Sequence, residues 1–332
     1  MSTHRVDVVQ LGPVVKHPNA DTLGLVTIKG YTCIVRLTDF KEGDLAVYIE
    51  PDYVVPDRPE FAFLKGKNRI KTMRLRQVWS QGLLIPVPAD LGDVKPGDDV
   101  MERLGIVRYE SPIDSAGDAE RPCDVLAHLP KYDVENWRGG TADPPAGSGR
   151  KWKDLFVAGE TVYVTEKLHG ANARYAFREG RMWCGSRTQW KKGPGGIWWH
   201  GLLQQPWIEA WCRKYPELVL FGEVYGQVQD LRYDSKPGQV YFRAFDVALR
   251  DGSWVAACDM RDYFEDPATQ CVPLVYNGPY DAAKIEEMSM MDSTLAKHLA
   301  EGVVIKPAVE RTDIELGRVV LKIVSNRYME RA

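Results

Sequence analysis

Six short β-rich runs, each closed by turn residues, constrain the first hundred residues of this 332-residue chain more than any other feature. They are Val6 to Leu11, Leu23 to Ile28, Cys33 to Leu37, Leu45 to Ile49, Arg69 to Gln77 and Leu83 to Pro88. Short β-rich runs at this spacing predict a small all-β barrel. From about residue 157 onward β runs alternate with helical stretches, at Leu202 to Tyr215 and Asp281 to Ala300. That pattern predicts an α+β fold around antiparallel sheets. Between the two, the chain is rich in Pro, Gly, Asp and Ser, most densely in TADPPAGSGR from Thr141 to Arg150, and reads as a linker. Pro130-Lys131-Tyr132-Asp133 is a point where it would be anchored. The expected division is therefore 1–108, 109–156 and 157–332.

Composition narrows the chemistry only at the margins. A formal net charge of -3 gives no global field for nucleic acid, so any phosphate-binding surface must be a local patch. The six cysteines include no CxxC pair, which argues against zinc and fits free thiols in a reducing compartment. No apolar run reaches membrane-spanning length and no signal-like segment follows the start, so a cytoplasmic protein is expected.

The informative octapeptide lies in the second region, at Thr165-Glu166-Lys167-Leu168-His169-Gly170-Ala171-Asn172. Lys167 leaves a strand-like run (Val162, Val164) just before a glycine that lets backbone approach a ligand. As a nucleophile a lysine needs its pKa lowered, and nearby positive charge does that. Further motifs follow in order: Cys184-Gly185-Ser186-Arg187-Thr188, then Leu220 to Gly226 around Phe221-Gly222-Glu223, then Phe242-Arg243-Ala244-Phe245-Asp246. Glu301-Gly302-Val303-Val304-Ile305-Lys306 and Val320-Leu321-Lys322-Ile323-Val324 complete the series.

This ordered set resembles the covalent nucleotidyltransferases, and the form KxHGxN resembles the template-dependent RNA ligases among them. The resemblance implies that Lys167 is adenylated by ATP, with Lys306 and Lys322 placing positive charge beside it and on the phosphates. It implies that Glu166 bonds the base or its surroundings and that Arg187 and Asn172 bind ribose and phosphate oxygens. Glu223 and Glu301 would contact ribose or hold a magnesium or manganese ion through its water shell, and Phe245 would stack on adenine. His169 stands where DNA ligases and capping enzymes carry aspartate, which points to RNA. Each residue has a plainer alternative: a strand-end glutamate in a turn, a core aromatic at Phe245, a snorkelling lysine at Lys306. Many relatives end in KxK, and here only Lys322 is present, so Lys306, Arg318 or Arg327 would have to supply the second cation.

HPNADTL (His17 to Leu23), FKEGDLAVYIEPD (Phe40 to Asp52) and WSQGLLIPV (Trp79 to Val87) resemble an OB-type module that precedes the catalytic domain in one branch of RNA ligases. They are also similar to OB modules that bind tRNA. Within this module Lys65, Lys67, Arg69, Lys71, Arg74 and Arg76 form either a track for a phosphate backbone or a solvated charged strand. The alternation breaks between Lys71 and Arg74. Trp190 to His200 mixes cations, glycines and three tryptophans, and would be either a strand-end clamp or a packed lid. The chain stops eight residues after Val324, so no C-terminal domain is expected. The resulting expectation is a monomeric ATP-dependent RNA ligase using magnesium or manganese to repair nicked RNA or RNA/DNA duplex. A guanylyltransferase or DNA ligase with the same lysine chemistry, and a non-catalytic OB-type RNA-binding protein, remain alternatives.

Overall fold

The computed structural model describes residues 5–109, 118–127, 129, 132–140 and 149–331. Pro130, Lys131 and most of TADPPAGSGR lie outside the described residues. The chain forms two compact units. One comprises Met1–Tyr109, Asn136–Leu155 and Ile314–Gly317; the other comprises Glu110–Glu135, Phe156–Asp313 and Arg318–Ala332. The stretch read as a linker is thus apportioned between the units.

In the first unit the β-rich runs give strands β1 (Asp7–Gln10), β2 (Leu23–Ile28), β3 (Tyr31–Arg36), β4 (Leu45–Ile49), β5 (Met73–Leu75), β6 (Val78–Ser80) and β7 (Leu83–Pro86). β4 is the centre of an antiparallel sheet between β1 and β7, and β2 and β3 form a hairpin. Alternation drives this: Tyr31, Cys33 and Val35 are buried while Thr32 and Ile34 are half-exposed. Arg69 to Gln77 is not one strand. Arg76 and Gln77 take positive φ (49° and 71°) and reverse the chain, so that Leu75 pairs with Val78. That two-residue turn fits strand twist, and neither residue is a glycine that would announce it.

HPNADTL explains how the hairpin is held. Buried His17 accepts a hydrogen bond at Nδ1 from the Asn19 amide (3.0 Å), leaving Nε2 to donate to the Leu75 carbonyl (3.3 Å). Asn19 Nδ2 donates to the Arg76 carbonyl (2.9 Å). Residues 136–140 lie against β2–β3: a Cβ on Gly30 (φ 86°) would stand 2.5 Å from the Arg138 carbonyl.

The second unit has two antiparallel sheets. The first contains, in spatial order, β11 (Trp190–Lys191), β10 (Arg181–Ser186), β9 (Ala171–Arg178), β12 (Val219–Gly226) and β13 (Val240–Ala248). The second contains β16 (Leu321–Val324), β15 (Gly302–Pro307), β8 (Thr161–Lys167), β14 (Leu274–Pro279). Helices α1 (Gly196–Gln204) and α2 (Trp207–Lys214) bury Trp198, Ile208 and Trp211 against Tyr175, Leu220 and Phe242 on one face of the first sheet. The other face is left for the site. The α+β expectation holds.

Two helix expectations change. Leu202 to Tyr215 is broken at Pro206, which has no N–H to continue α1. Asp281 caps α3 (Ala282–Met288) by accepting from Ala283 and Lys284 amides, but the helix ends there rather than at Ala300. The Ser289 hydroxyl turns back to the Glu286 carbonyl (2.6 Å), and the chain leaves as a loop. Of the tryptophans in Trp190 to His200, Trp190 and Trp198 are buried and Trp199 is half-buried, so the segment is packed.

Candidate active site

Register places the three lysines on one sheet face. Lys167 pairs with Gly302, Tyr163 with Lys306, and Val304 lies between Thr165 and Lys322. Alternation then directs Lys167, Lys306 and Lys322 the same way. On the first sheet, Asn172 pairs with Glu223, Arg174 with Phe221, and Phe221 with Asp246, so these five share a face. Lys306 Nζ reaches Asp246 Oδ2 (2.5 Å), which shows that the two faces oppose each other across a cleft.

At the end of β8, Lys167 Nζ lies 2.6 Å from Glu301 Oε1. Burial pushes the Glu301 carboxyl up, but the Lys167 ammonium and the His169 hydrogen bond outweigh it and hold the pKa at about 2. His169 is buried; Nδ1 is 3.3 Å from Glu301 Oε2 and Nε2 is 2.7 Å from Asp230 Oδ1. Its backbone amide donates to Tyr233 Oη (2.7 Å), and Gln229 Nε2 donates to the Gly170 carbonyl. Tyr328 and Arg331 of α4 (Asn326–Arg331) complete the shell, on His169 and Asp230 respectively. Gly170 is required by space: a Cβ there would stand 2.1 Å from the Val224 carbonyl.

Glu166 points away from Lys167, into the opposite face of β8, and is 1 % exposed. Ser293 Oγ donates to Oε1 (2.6 Å), and the Thr294 amide and hydroxyl donate to Oε2 (2.9 and 2.6 Å). It anchors the loop after α3. Among the described residues Asn172 Oδ1 is buried with no hydrogen-bond partner. Arg187 is bonded to Asp133 (2.6 Å). Phe245 is the extra residue of a β-bulge, since Gly222 pairs with Ala244 and Phe221 with Asp246. A bulge re-aims a side chain, and Phe245 packs on Tyr132 (centroids 4.6 Å).

Lys306 does not stand beside Lys167. It lies four residues along the strand pair, roughly 13 Å away, with Nζ on Asp246 and on the Phe245 carbonyl (2.6 Å). Burial lowers its pKa against the pull of Asp246. Asp246, fully buried, also takes Arg318 (2.6 Å) and the Tyr132 hydroxyl (2.8 Å). Burial raises its carboxyl, yet Arg318 and Lys306 keep it below the usual range. Arg318 further bonds Glu310 (2.9 Å), and Arg327 bonds Asp292 (3.1 Å). All three cations suggested for the second lysine are therefore engaged. The sequence reading missed Asp230, Tyr233, Tyr328 and Arg174; only Arg174, a cation inside the apolar alternation of β9, carried a readable signal.

Of the basic run in the first unit, Lys65, Lys67, Lys71, Arg74 and Arg76 are exposed. Arg69 is half-buried between Asp52 (2.7 Å) and the Tyr109 ring (3.6 Å).

Two opposed antiparallel sheets with a strand-end lysine held by a glutamate, preceded by a small β unit, define a nucleotidyltransferase with an N-terminal OB-fold domain. The RNA ligase family model matches residues 160–324, and an OB-fold domain model matches residues 5–87. The chain's catalytic segment belongs to the RNA ligase family. No curated protein sequence matches the chain. Solved structures of Naegleria gruberi RNA ligase are similar in fold. A lysine-to-alanine mutant with ATP and manganese has TM-score 0.79 and 23% identity, covering 99% of both chains. The form with pyrophosphate has TM-score 0.78 and 23% identity over 98% of both. A lysine-to-methionine mutant with AMP and manganese has TM-score 0.79 and 22% identity over 98% of both.

Proposed function

We propose that the protein is an ATP-dependent RNA ligase that seals 3′-hydroxyl/5′-phosphate nicks in RNA or RNA/DNA duplex, working as a monomer in cytoplasmic RNA repair. The observation that carries this reading is the Lys167–Glu301 pair at the mouth of a cleft lined by Asn172, Glu223, Phe245 and Lys322. Lys167 Nζ, once its proton has left, attacks the α-phosphate of ATP and pyrophosphate departs. The AMP then passes from Nζ to a 5′-phosphate, and a 3′-hydroxyl displaces it to close the phosphodiester. Glu301 holds the amine in position before attack, and His169 holds Glu301. Phe245 offers its ring to the base, Glu223 and Asn172 face the ribose and phosphates, and Lys322 supports the developing charge.

Among the described residues no group of three His, Cys, Asp or Glu gathers to hold a metal. Two carboxylates, Glu223 and Glu301, fit a hydrated divalent cation carried mainly by the nucleotide. Bound magnesium or manganese would neutralise the polyphosphate. The exposed cations from Lys65 to Arg76 suit the RNA backbone.

Intact mass spectrometry after incubation with ATP tests the proposal. The wild type is expected to gain one AMP, and Lys167→Ala none. A wild type unmodified under magnesium and manganese would refute it, and modification by GTP in place of ATP would redirect it to capping chemistry.

A further inference from the structure

Among the described residues Arg174 is a buried cation without a counter-ion. It lies in the middle of β9, is 6 % exposed, and pairs across to Gly185 and Phe221. Among the described residues no oxygen accepts a hydrogen bond from its guanidinium, and Nε is sealed from solvent. Its carbon sits 4.3 Å over the Trp190 ring. Gly185 makes the room: a Cβ there would stand 3.1 Å from Arg174 Nε and 3.0 Å from that ring. Burial alone pulls the pKa of this arginine down to about 10.

A charge held out of water with no partner is a standing cost, and such groups cluster where a ligand completes them. The stack on Trp190 leaves the rim of N–H donors unused, which suits a planar, bidentate anion contact. Two residues away on the same face, Asn172 Oδ1 is also buried and, among the described residues, unpartnered, ready for a donor on the same ligand. The nearest buried carboxylate on that face, Asp246, is already neutralised by Lys306 and Arg318.

We propose that Arg174 binds a phosphoryl group in the cleft, from either the ATP polyphosphate or the 5′-phosphate of the RNA. The assignment rests on the ligase reading for the identity of the ligand, though not for the existence of an anion site. It makes Arg174 a substrate-contacting residue beyond the motif residues.

The full-length chain would be compared with Arg174→Met and Arg174→Lys in three measurements. These are thermal unfolding with and without inorganic pyrophosphate or phosphate, single-turnover adenylation by ATP, and AMP transfer from pre-adenylated enzyme to 5′-phosphorylated RNA. Without anion, Arg174→Met should unfold at no lower temperature than wild type, because it removes an unpaired buried charge. Its anion affinity should fall roughly tenfold or more, with Arg174→Lys between the two. A loss confined to adenylation assigns the ATP polyphosphate; a loss confined to transfer assigns the RNA end. Anion shifts and both steps equal to wild type would overturn the proposal. So would a Met variant that unfolds earlier and slows every step alike with no recovery in Lys, which marks a packing role. Should the wild type neither adenylate nor seal, the ligase reading fails while the anion shift still decides Arg174.

Discussion

At the scale of single residues, the Lys167–Glu301 pair couples the proposed chemistry to stability. The Glu301 carboxyl titrates at about 2 in the folded chain, against 4.5 for an ordinary glutamate. Its contribution, on the order of 3 kcal/mol, is fully present above pH 4.5 and is lost as pH falls through about 2. Urea unfolding of wild type and Glu301→Gln across this range should show a stability gap that closes between pH 4.5 and 2. A gap that ignores pH would mean that Glu301 is not ionised by its neighbours. That Lys167, His169 and Glu301 could come together was readable because motif spacing puts each on a strand end or turn. The engagement of Lys306 was not: Asp246 lies sixty residues away in sequence, and only strand pairing brings it to Nζ. Glu166 faces away from the cleft for a local reason. Adjacent strand residues point to opposite faces, so a glutamate beside Lys167 turns away from the cleft.

At the scale of elements, the loop after β12 carries most of the unexpected backbone. Arg232, Tyr233 and Asp234 all have positive φ (49°, 47° and 54°), three consecutive non-glycine residues in the left-handed region. Each costs roughly 1–2 kcal/mol, and left-handed turns of this kind persist where contacts over-determine them. Here the contacts are to the nucleophile motif: Tyr233 Oη on the His169 amide, Asp230 on its ring and Gln229 on the Gly170 carbonyl. Asp234→Gly should therefore stabilise the protein by about 1 kcal/mol and leave adenylation intact. Tyr233→Phe should cost about 1–2 kcal/mol and slow adenylation, since the His169 amide loses its buried acceptor. Equal effects of the two substitutions on adenylation would sink the assignment of strain to positioning. Neither this turn nor the Arg76-Gln77 turn was readable from sequence: positive φ is announced most strongly by Gly and Asn, neither occurs at these five positions, and Asp234 alone is a weak signal. The bulge at Phe245 was hidden for a related reason. Phe242 to Asp246 reads as plain alternation until the partner strand is known.

At the scale of the whole molecule, compact units do not follow composition. The barrel strands and both sheets were legible because alternation survives in each run, but Pro- and Gly-rich composition marks exposure rather than independence. Residues 132–133 show the difference. Tyr132 donates to fully buried Asp246 and packs on Phe221, Phe245 and Trp254, while Asp133 holds Arg187. A fragment starting at residue 157 leaves the Asp246 carboxylate one donor short and removes the Asp133 carboxylate from Arg187. Loss of one hydrogen bond to a buried charge costs about 1.5–3 kcal/mol, and the exposed aromatic faces add to it. The fragment 110–332 keeps both contacts. It should unfold at higher temperature than 157–332 and form the lysyl-AMP adduct faster, by thermal denaturation and single-turnover labelling. Equal stability of the two would show that residues 110–135 are a passive connection, and that the catalytic fold is closed by residues after 156 alone.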